Sequence, residues 1–189
     1  YLLRVGLYDQ GTGARLTVLA DDGSATGDSI TLQPVWVLRA QALSPRQLAH
    51  RVEYTLGGEI ELLGYDLEIA DCGLRIGDCG LTLYWRASGV VEKDDTVFVH
   101  LVDQGGKLWG QGDGVPVGGM YPTSAWLPGQ VVEDRHVIQV APGVPAGSYR
   151  VLVGLYDQAT LERLEAVGPE GVLPSGAITL EPVLEVRGP

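Results

Sequence analysis

Apolar residues fall along this chain in short runs, each closed by turn-forming residues. Leu81–Ala87, Thr96–Asp103, Val131–Val140, Tyr149–Asp157 and Ala177–Val186 have the length and β-branched content of strands. Asp103-Gln104-Gly105-Gly106 and Ala141-Pro142-Gly143-Val144-Pro145-Ala146-Gly147-Ser148 lie between them and are loop chemistry. No long stretch carries the period of an amphipathic helix. The one helix candidate is short, with Ser44 as N-cap and Pro45 at the first helical position. Many short strands in a unit of about 135 residues predict an antiparallel β-sandwich.

The chain also repeats itself. Tyr149-Arg150-Val151-Leu152-Val153-Gly154-Leu155-Tyr156-Asp157-Gln158 echoes the opening ten residues at an offset of 148, from residue 1 to residue 149. Thr12 then matches Thr160, Arg15 matches Arg163, Leu16 matches Leu164 and Gly23 matches Gly171. Ile30-Thr31-Leu32 matches Ile178-Thr179-Leu180, and Pro34-Val35 matches Pro182-Val183. About 16 identities over about 37 ungapped residues mark a module array. Residues 1–38 are read as the C-terminal strands of a preceding copy, 39–51 as a linker and 52–188 as a complete module. The repeat settles a local ambiguity. Leu161, Leu164 and Val167 have helical spacing, but the matching segment Thr12-Gly13-Ala14-Arg15-Leu16-Thr17-Val18-Leu19 carries Gly and β-branched residues that resist a helix. One fold must serve both copies, so a turn followed by a strand is expected.

Composition narrows the partners. The 189 residues carry 24 Asp and Glu against 13 Lys and Arg, a net charge of −11. That balance disfavours nucleic acid and anionic membrane surfaces as partners. Hydrophobic residues at 45% with charged residues at 20% describe a chain that can bury a core. No apolar run approaches the ~18–20 residues of a spanning helix, so no membrane contact is expected from this segment itself. The chain opens on an alternating strand, without an initiator Met or a signal-peptide pattern, as a piece of a longer protein would. Cys72 and Cys79 flank a short Gly-bearing connection and lack the further ligands of a zinc site. A disulfide across a hairpin and two free thiols both remain open.

Several phrases together resemble a known module type. They are Leu63-Gly64-Tyr65-Asp66-Leu67, Leu81-Thr82-Leu83-Tyr84-Trp85-Arg86-Ala87 and Val97-Phe98-Val99-His100-Leu101. Tyr121-Pro122-Thr123-Ser124-Ala125-Trp126, Pro128-Gly129, Asp134-Arg135-His136 and Pro145-Ala146-Gly147-Ser148-Tyr149 follow, running into Val153-Gly154-Leu155-Tyr156-Asp157. In this order they resemble the β-sandwich modules that follow the membrane-embedded part of certain bacterial family 39 (mannosyltransferase-like) membrane glycosyltransferases. The resemblance covers the complete module and residues 1–38. It implies an Ig-like sandwich and an extracytoplasmic or cell-envelope location, as a soluble part of a membrane-anchored protein. It transfers no catalytic residue. The Cys72/Cys79 pair departs from the pattern, which has a plain Pro-Gly-Asp type turn there.

Candidate chemistry is sparse. Phe98, His100 and Val102 share one strand face, and Asp134 and His136 share another with Val132, Ile138 and Val140. His100, Asp134 and His136 are therefore weak candidates for a metal or acid–base site, weighed against core histidines satisfied by backbone or by Asp134. Asp94, Asp95, Asp103, Asp113 and Glu133 lack the spacing of a Ca²⁺ loop and read as solvated turns. Gly110-Gln111-Gly112-Asp113-Gly114 has no Lys-Ser/Thr and no following helix, and reads as a loop. No Gly-x-Ser-x-Gly elbow exists, and Ser124 has no base nearby in sequence. The long connection from about Val115 to Gln130 is richer. Trp109, Tyr121 and Trp126 could stack on sugar rings while Asp113 or Thr123 bonds hydroxyls, or the rings could fold back as a plug over the sandwich end. The plug is favoured. The sequence thus predicts a non-catalytic structural or interaction module without cofactor, with a neighbouring domain or second chain as partner through residues 1–38. The alternative is a carbohydrate-binding module taking a glycan on the Trp109, Asp113, Tyr121, Thr123 and Trp126 surface.

Overall fold

The computed structural model describes residues 4–32, 48–68 and 79–186. The Ser44–Pro45 helix candidate and Cys72 lie outside them, and so does any pairing of Cys72 with Cys79. The chain divides into two compact units, Tyr1–Ala40 and Gln41–Pro189. Every described strand pairs antiparallel.

The first unit holds four short strands, β1 (Arg4–Val5), β2 (Val18–Leu19), β3 (Ala25–Gly27) and β4 (Ile30–Thr31). β1 pairs with β4, and β2 pairs with β3. The second unit contains β5 (His50–Leu56), β6 (Ile60–Glu68), β7 (Cys79–Ala87), β8 (Asp95–Asp103) and β9 (Leu108–Gln111). A single 3-10 turn, Thr123–Ala125, precedes β10 (Val131–Val140), β11 (Gly147–Asp157), β12 (Ala166–Gly168), β13 (Gly171–Leu173) and β14 (Ile178–Val186). β5 begins at His50, so the last two residues of the expected linker are already strand.

These ten strands form one hydrogen-bonded ladder in the order β13-β12-β5-β6-β7-β10-β9-β8-β11-β14. β10 is the joint between its halves. Residues 131–138 pair with β7, and Gln139 and Val140 pair with β9. The ladder folds into a sandwich-like all-β body, and Tyr65 ties its halves together. Its hydroxyl, on β6, donates to the Glu181 carbonyl of β14 (2.5 Å) and accepts from the Glu181 N–H (2.8 Å). Leu56, Ile60, Leu62, Leu81, Leu83 and Trp85 from one half, with Val97, Val99, Leu101, Val151, Val153 and Leu155 from the other, are buried. β10 shows the period-two rule directly. Val132, Asp134, His136 and Ile138 are buried, while Glu133, Arg135 and Val137 between them are exposed.

Gly110-Gln111-Gly112-Asp113-Gly114, expected as a loop, is strand at its first two residues and runs on beside β8 without regular strand structure. Gly110 and Gln111 belong to β9, Gly112 N–H donates to Val99 O (2.8 Å) and Gly114 N–H to Val97 O (2.9 Å). A Cβ at Gly112 would lie 2.6 Å from the Val137 carbonyl oxygen, so glycine permits the close approach to β10.

The two repeat copies build the same turn with the same backbone hydrogen bonds. Asp9 N–H donates to Ala14 O (2.8 Å) and Gly13 N–H to Asp9 O (2.8 Å). At an offset of 148, Asp157 N–H donates to Glu162 O (3.0 Å) and Leu161 N–H to Asp157 O (2.8 Å). Asp9 Oδ1 accepts from the N–H groups of Gly11 and Thr12, and Asp157 Oδ1 from those of Ala159 and Thr160. Donors from Thr12 and from Ala159, chief among these bonds, hold both carboxyls below the ordinary carboxylate range. The pairings Tyr8↔Arg15 and Tyr156↔Arg163 correspond, as do Val5↔Ile30 and Val153↔Ile178. The expected turn-then-strand is what both segments adopt.

Candidate functional site

Asp134 and His136 lie two residues apart on β10, so both side chains enter the interior. Asp134 is fully buried and accepts three hydrogen bonds. Val117 N–H donates to its Oδ1 (2.7 Å), Trp85 Nε1 donates to its Oδ2 (3.2 Å), and His136 Nε2 lies 2.7 Å from the same oxygen. His136 Nδ1 lies 2.8 Å from the Gly112 carbonyl. Both ring nitrogens are thus engaged by oxygen atoms, and Nδ1 donates to the Gly112 carbonyl, a pure acceptor. Burial works to lower the His136 pKa. The hydrogen bond and charge of Asp134, the Gly112 carbonyl and the charge of Asp113 outweigh it and hold the pKa above its ordinary value. The result is a buried hydrogen-bonded pair that ties the 112–117 segment to β10 through Gly112 and Val117, with both ring nitrogens engaged within the protein.

His100 joins a different carboxylate. Its Nε2 lies 3.3 Å from Asp113 Oδ2, and Asp113 Oδ1 accepts from Val99 N–H (3.0 Å). Partial burial acts to raise the Asp113 pKa, and the bonds from His100 and Val99 with the charges of His100 and His136 bring it below its usual range. His100, Asp134 and His136 therefore do not converge on one centre. Among the described residues no group of three or more His, Cys, Asp or Glu side chains is arranged to hold a metal ion. The Asp103 and Asp113 carboxylates accept hydrogen bonds from neighbouring groups. Asp94 Oδ1 accepts from Ser124 N–H (3.3 Å). Burial, with the charge of Asp157, raises the pKa of Asp95. Glu133 sits on the exposed face of β10.

The aromatic loop is folded inward. Tyr121 and Trp126 are buried, their rings 6.5 Å apart, and Trp126 Nε1 donates to the Tyr121 carbonyl (3.1 Å). The Tyr121 hydroxyl lies 2.9 Å from Ala125 O and 2.8 Å from the Gln130 side-chain oxygen. Thr123 is fully buried; its hydroxyl donates to Lys93 O (2.7 Å) and accepts from Asp95 N–H (2.8 Å). Trp109 is half-buried, with Nε1 donating to Asp103 Oδ2 (2.9 Å) and the Lys107 ammonium 3.8 Å from its ring centroid. Trp109, Asp113, Tyr121, Thr123 and Trp126 therefore do not present an exposed stacking platform. The two buried rings spend their apolar area on the end of the sandwich, as large aromatics with a satisfied polar tip do.

Two further features stand apart from these side chains, and only the first had no signal in the sequence. A groove of about 650 Å³ runs over β5 to β7, lined by Tyr54, Glu61, Tyr84 and Arg86 among others. Glu61 and Arg86 face each other across the strands and form an ion pair (2.5 Å). The Tyr84 hydroxyl donates to Asp66 Oδ2 (2.7 Å); burial, then the Asp66 carboxylate, push its pKa up. Cys79, which opens β7, is buried.

The second feature is the face of residues 4–32. Val5, Leu7 and Ile30 are 49%, 71% and 54% exposed, whereas their counterparts Val153, Leu155 and Ile178 are 0% exposed. The reason is topological. β11 pairs with β14 on one edge and with β8 on the other, while β1 is paired only with β4 among the described residues. Among the described residues, 4–32 have the strands and the turn but no strand paired to β1 in the place of β8.

No helix among the described residues is long and apolar enough to cross a membrane. No known family model, no curated protein and no solved structure matches the chain.

Proposed function

We propose that residues 52–188 are a non-catalytic structural or interaction module, Ig-like in general architecture, of a modular membrane-anchored extracytoplasmic protein. Residues 1–38 are, on this reading, the closing strands of another copy of the same module. The observation that carries it is the mismatch in burial between Val5, Leu7 and Ile30 and their fully buried counterparts. A fragment of this size cannot bury an apolar core alone, and its surface is of the kind that marks association. The enclosed chemistry of Asp134, His136, Tyr121 and Trp126 supports a load-carrying rather than a catalytic role. The resemblance to modules of family 39 membrane glycosyltransferases supports the location.

The test is deletion of residues 1–38, followed by sedimentation velocity at several concentrations. The full chain is expected to associate as concentration rises, and the shortened chain to stay monomeric and folded. Loss of the cooperative unfolding transition on deletion would show that residues 1–38 belong to the module's own core, and the reading would fall.

A further inference from the structure

The complete module shows what the face of residues 4–32 is shaped to receive. In it, Val153 is opposite Val99, Gly154 opposite Phe98, Leu155 opposite Val97 and Tyr156 opposite Thr96. Phe98 lies directly over Gly154, where an added Cβ would come within 2.6 Å of the ring. The Arg163 guanidinium covers the same ring, 4.2 Å from its centroid. Residues 4–32 keep both parts of this seat. Gly6 stands at the position of Gly154 and has the same close backbone approach, 2.8 Å from a built Cβ to Asp28 O against 2.6 Å to Gly176 O. Arg15 stands at the position of Arg163; with no ring to cover, it pairs with Asp28 at 3.3 Å on the surface.

Resting on the reading that residues 1–38 close another copy, we propose that the edge of β1 away from β4, with which no described strand pairs, is a strand-acceptor site. Its ligand is an extended segment of β8 chemistry, apolar at the positions opposite Val5 and Leu7 and aromatic at the position opposite Gly6. Added-strand recognition works this way: main-chain bonds supply affinity, and alternate side-chain seats supply specificity. The natural source is a module body that lacks its own closing strands. A second copy of this chain in its folded form is unsuited, because its β8 already has β9 and β11 on its two edges. On docking, Arg15 leaves Asp28 and stacks on the incoming ring, as Arg163 does on Phe98.

The probe is a synthetic peptide with the sequence of residues 93–104, flanked by lysines for solubility and carrying a fluorophore. It is titrated into the intact 189-residue protein, with anisotropy and backbone amide shifts as readouts. Saturable binding is expected, with shifts at Val5, Gly6 and Leu7. A peptide with Phe98→Ala should bind about tenfold more weakly, the loss of one seated aromatic contact. Leu7→Lys, a change at an exposed position that leaves the fold intact, should abolish binding. No saturable binding, equal binding of a scrambled peptide, or shifts on β11 and β14 instead of β1 would each overturn the proposal. The two readings fail separately. Unfolding of residues 48–186 on removal of 1–38 defeats the module reading, whereas a folded deletion protein that binds the peptide as well as the full chain defeats only the acceptor site.

Discussion

Leu7 and Leu155 follow the same glycine, precede the same Tyr-Asp-Gln and accept the same backbone hydrogen bond, from Leu16 N–H and Leu164 N–H, each at 2.9 Å. One is largely exposed and the other fully buried. Local conformation at this position is therefore set by the turn, and burial by what lies across the strand edge.

This separates two substitutions that look identical on paper. Leu155→Ala is expected to destabilise the module by about 2–5 kcal/mol, as buried Leu truncations do. Leu7→Ala should stay within about 0.5 kcal/mol, as exposed changes do. Urea unfolding monitored by tryptophan fluorescence compares them, and equal losses would show that Leu7 is covered in solution.

Leu161 offers a gain of stability. It adopts φ +61° and is exposed, and the equivalent residue in the other copy is Gly13, with φ +71°. A left-handed conformation costs a non-glycine residue about 1–2 kcal/mol, of which the greater unfolded-state freedom of glycine returns part. Leu161→Gly should therefore stabilise the protein by about 0.5–1 kcal/mol, read from the urea midpoint. A lower midpoint would mean the Leu161 side chain contributes more than its geometry costs.

The His136–Asp134 pair sets a pH dependence with a definite sign. The folded-state pKa of His136 lies above its ordinary value near 6.5, so the folded form holds its proton more tightly than the unfolded chain. The stabilisation is complete below about pH 6.5 and is lost as pH rises through the folded-state pKa. Urea unfolding from pH 6 to 9 should show this decline in the wild type and not in His136→Gln. A wild-type curve that rises over that window would mean His136 is neutral when folded.

Trp126→Ala should cost about 3–5 kcal/mol, because the ring is buried against Tyr121 and its N–H is satisfied there. An unchanged melting temperature together with lost binding on a glycan array would instead support the sugar-binding reading of this loop.

Much of the architecture was legible because period-two alternation is a local property. Val131–Val140 coincides with β10, and Thr96–Asp103 falls within β8. β6 was harder to read, because its register shifts between Leu62 and Gly64 and the alternation breaks there. β9 was hidden because Gly110 within it and Gly112 just after it, which permit the close approach to β10, mimic a loop in one dimension. At the site, the shared face of Asp134 and His136 followed from their spacing. The partner of His100 did not: Asp113 reaches it through the return of the chain alongside β8, a relationship that lies in tertiary structure. The burial of Tyr121 and Trp126 was one of two outcomes compatible with an aromatic-rich loop, and packing decided between them.

The turn centred on Asp9 forms the backbone bonds of the turn centred on Asp157 without a counterpart of β8 paired beside it among the described residues. Its geometry is therefore written within about ten residues. For a growing chain this means that the closing hairpin is bent to shape as soon as it is synthesised, through contacts of very short sequence separation. Joining β11 to β8 spans about fifty residues and bears the loop-closure entropy. The slow event in folding this module should accordingly be the arrival of a ready-made clasp at its body.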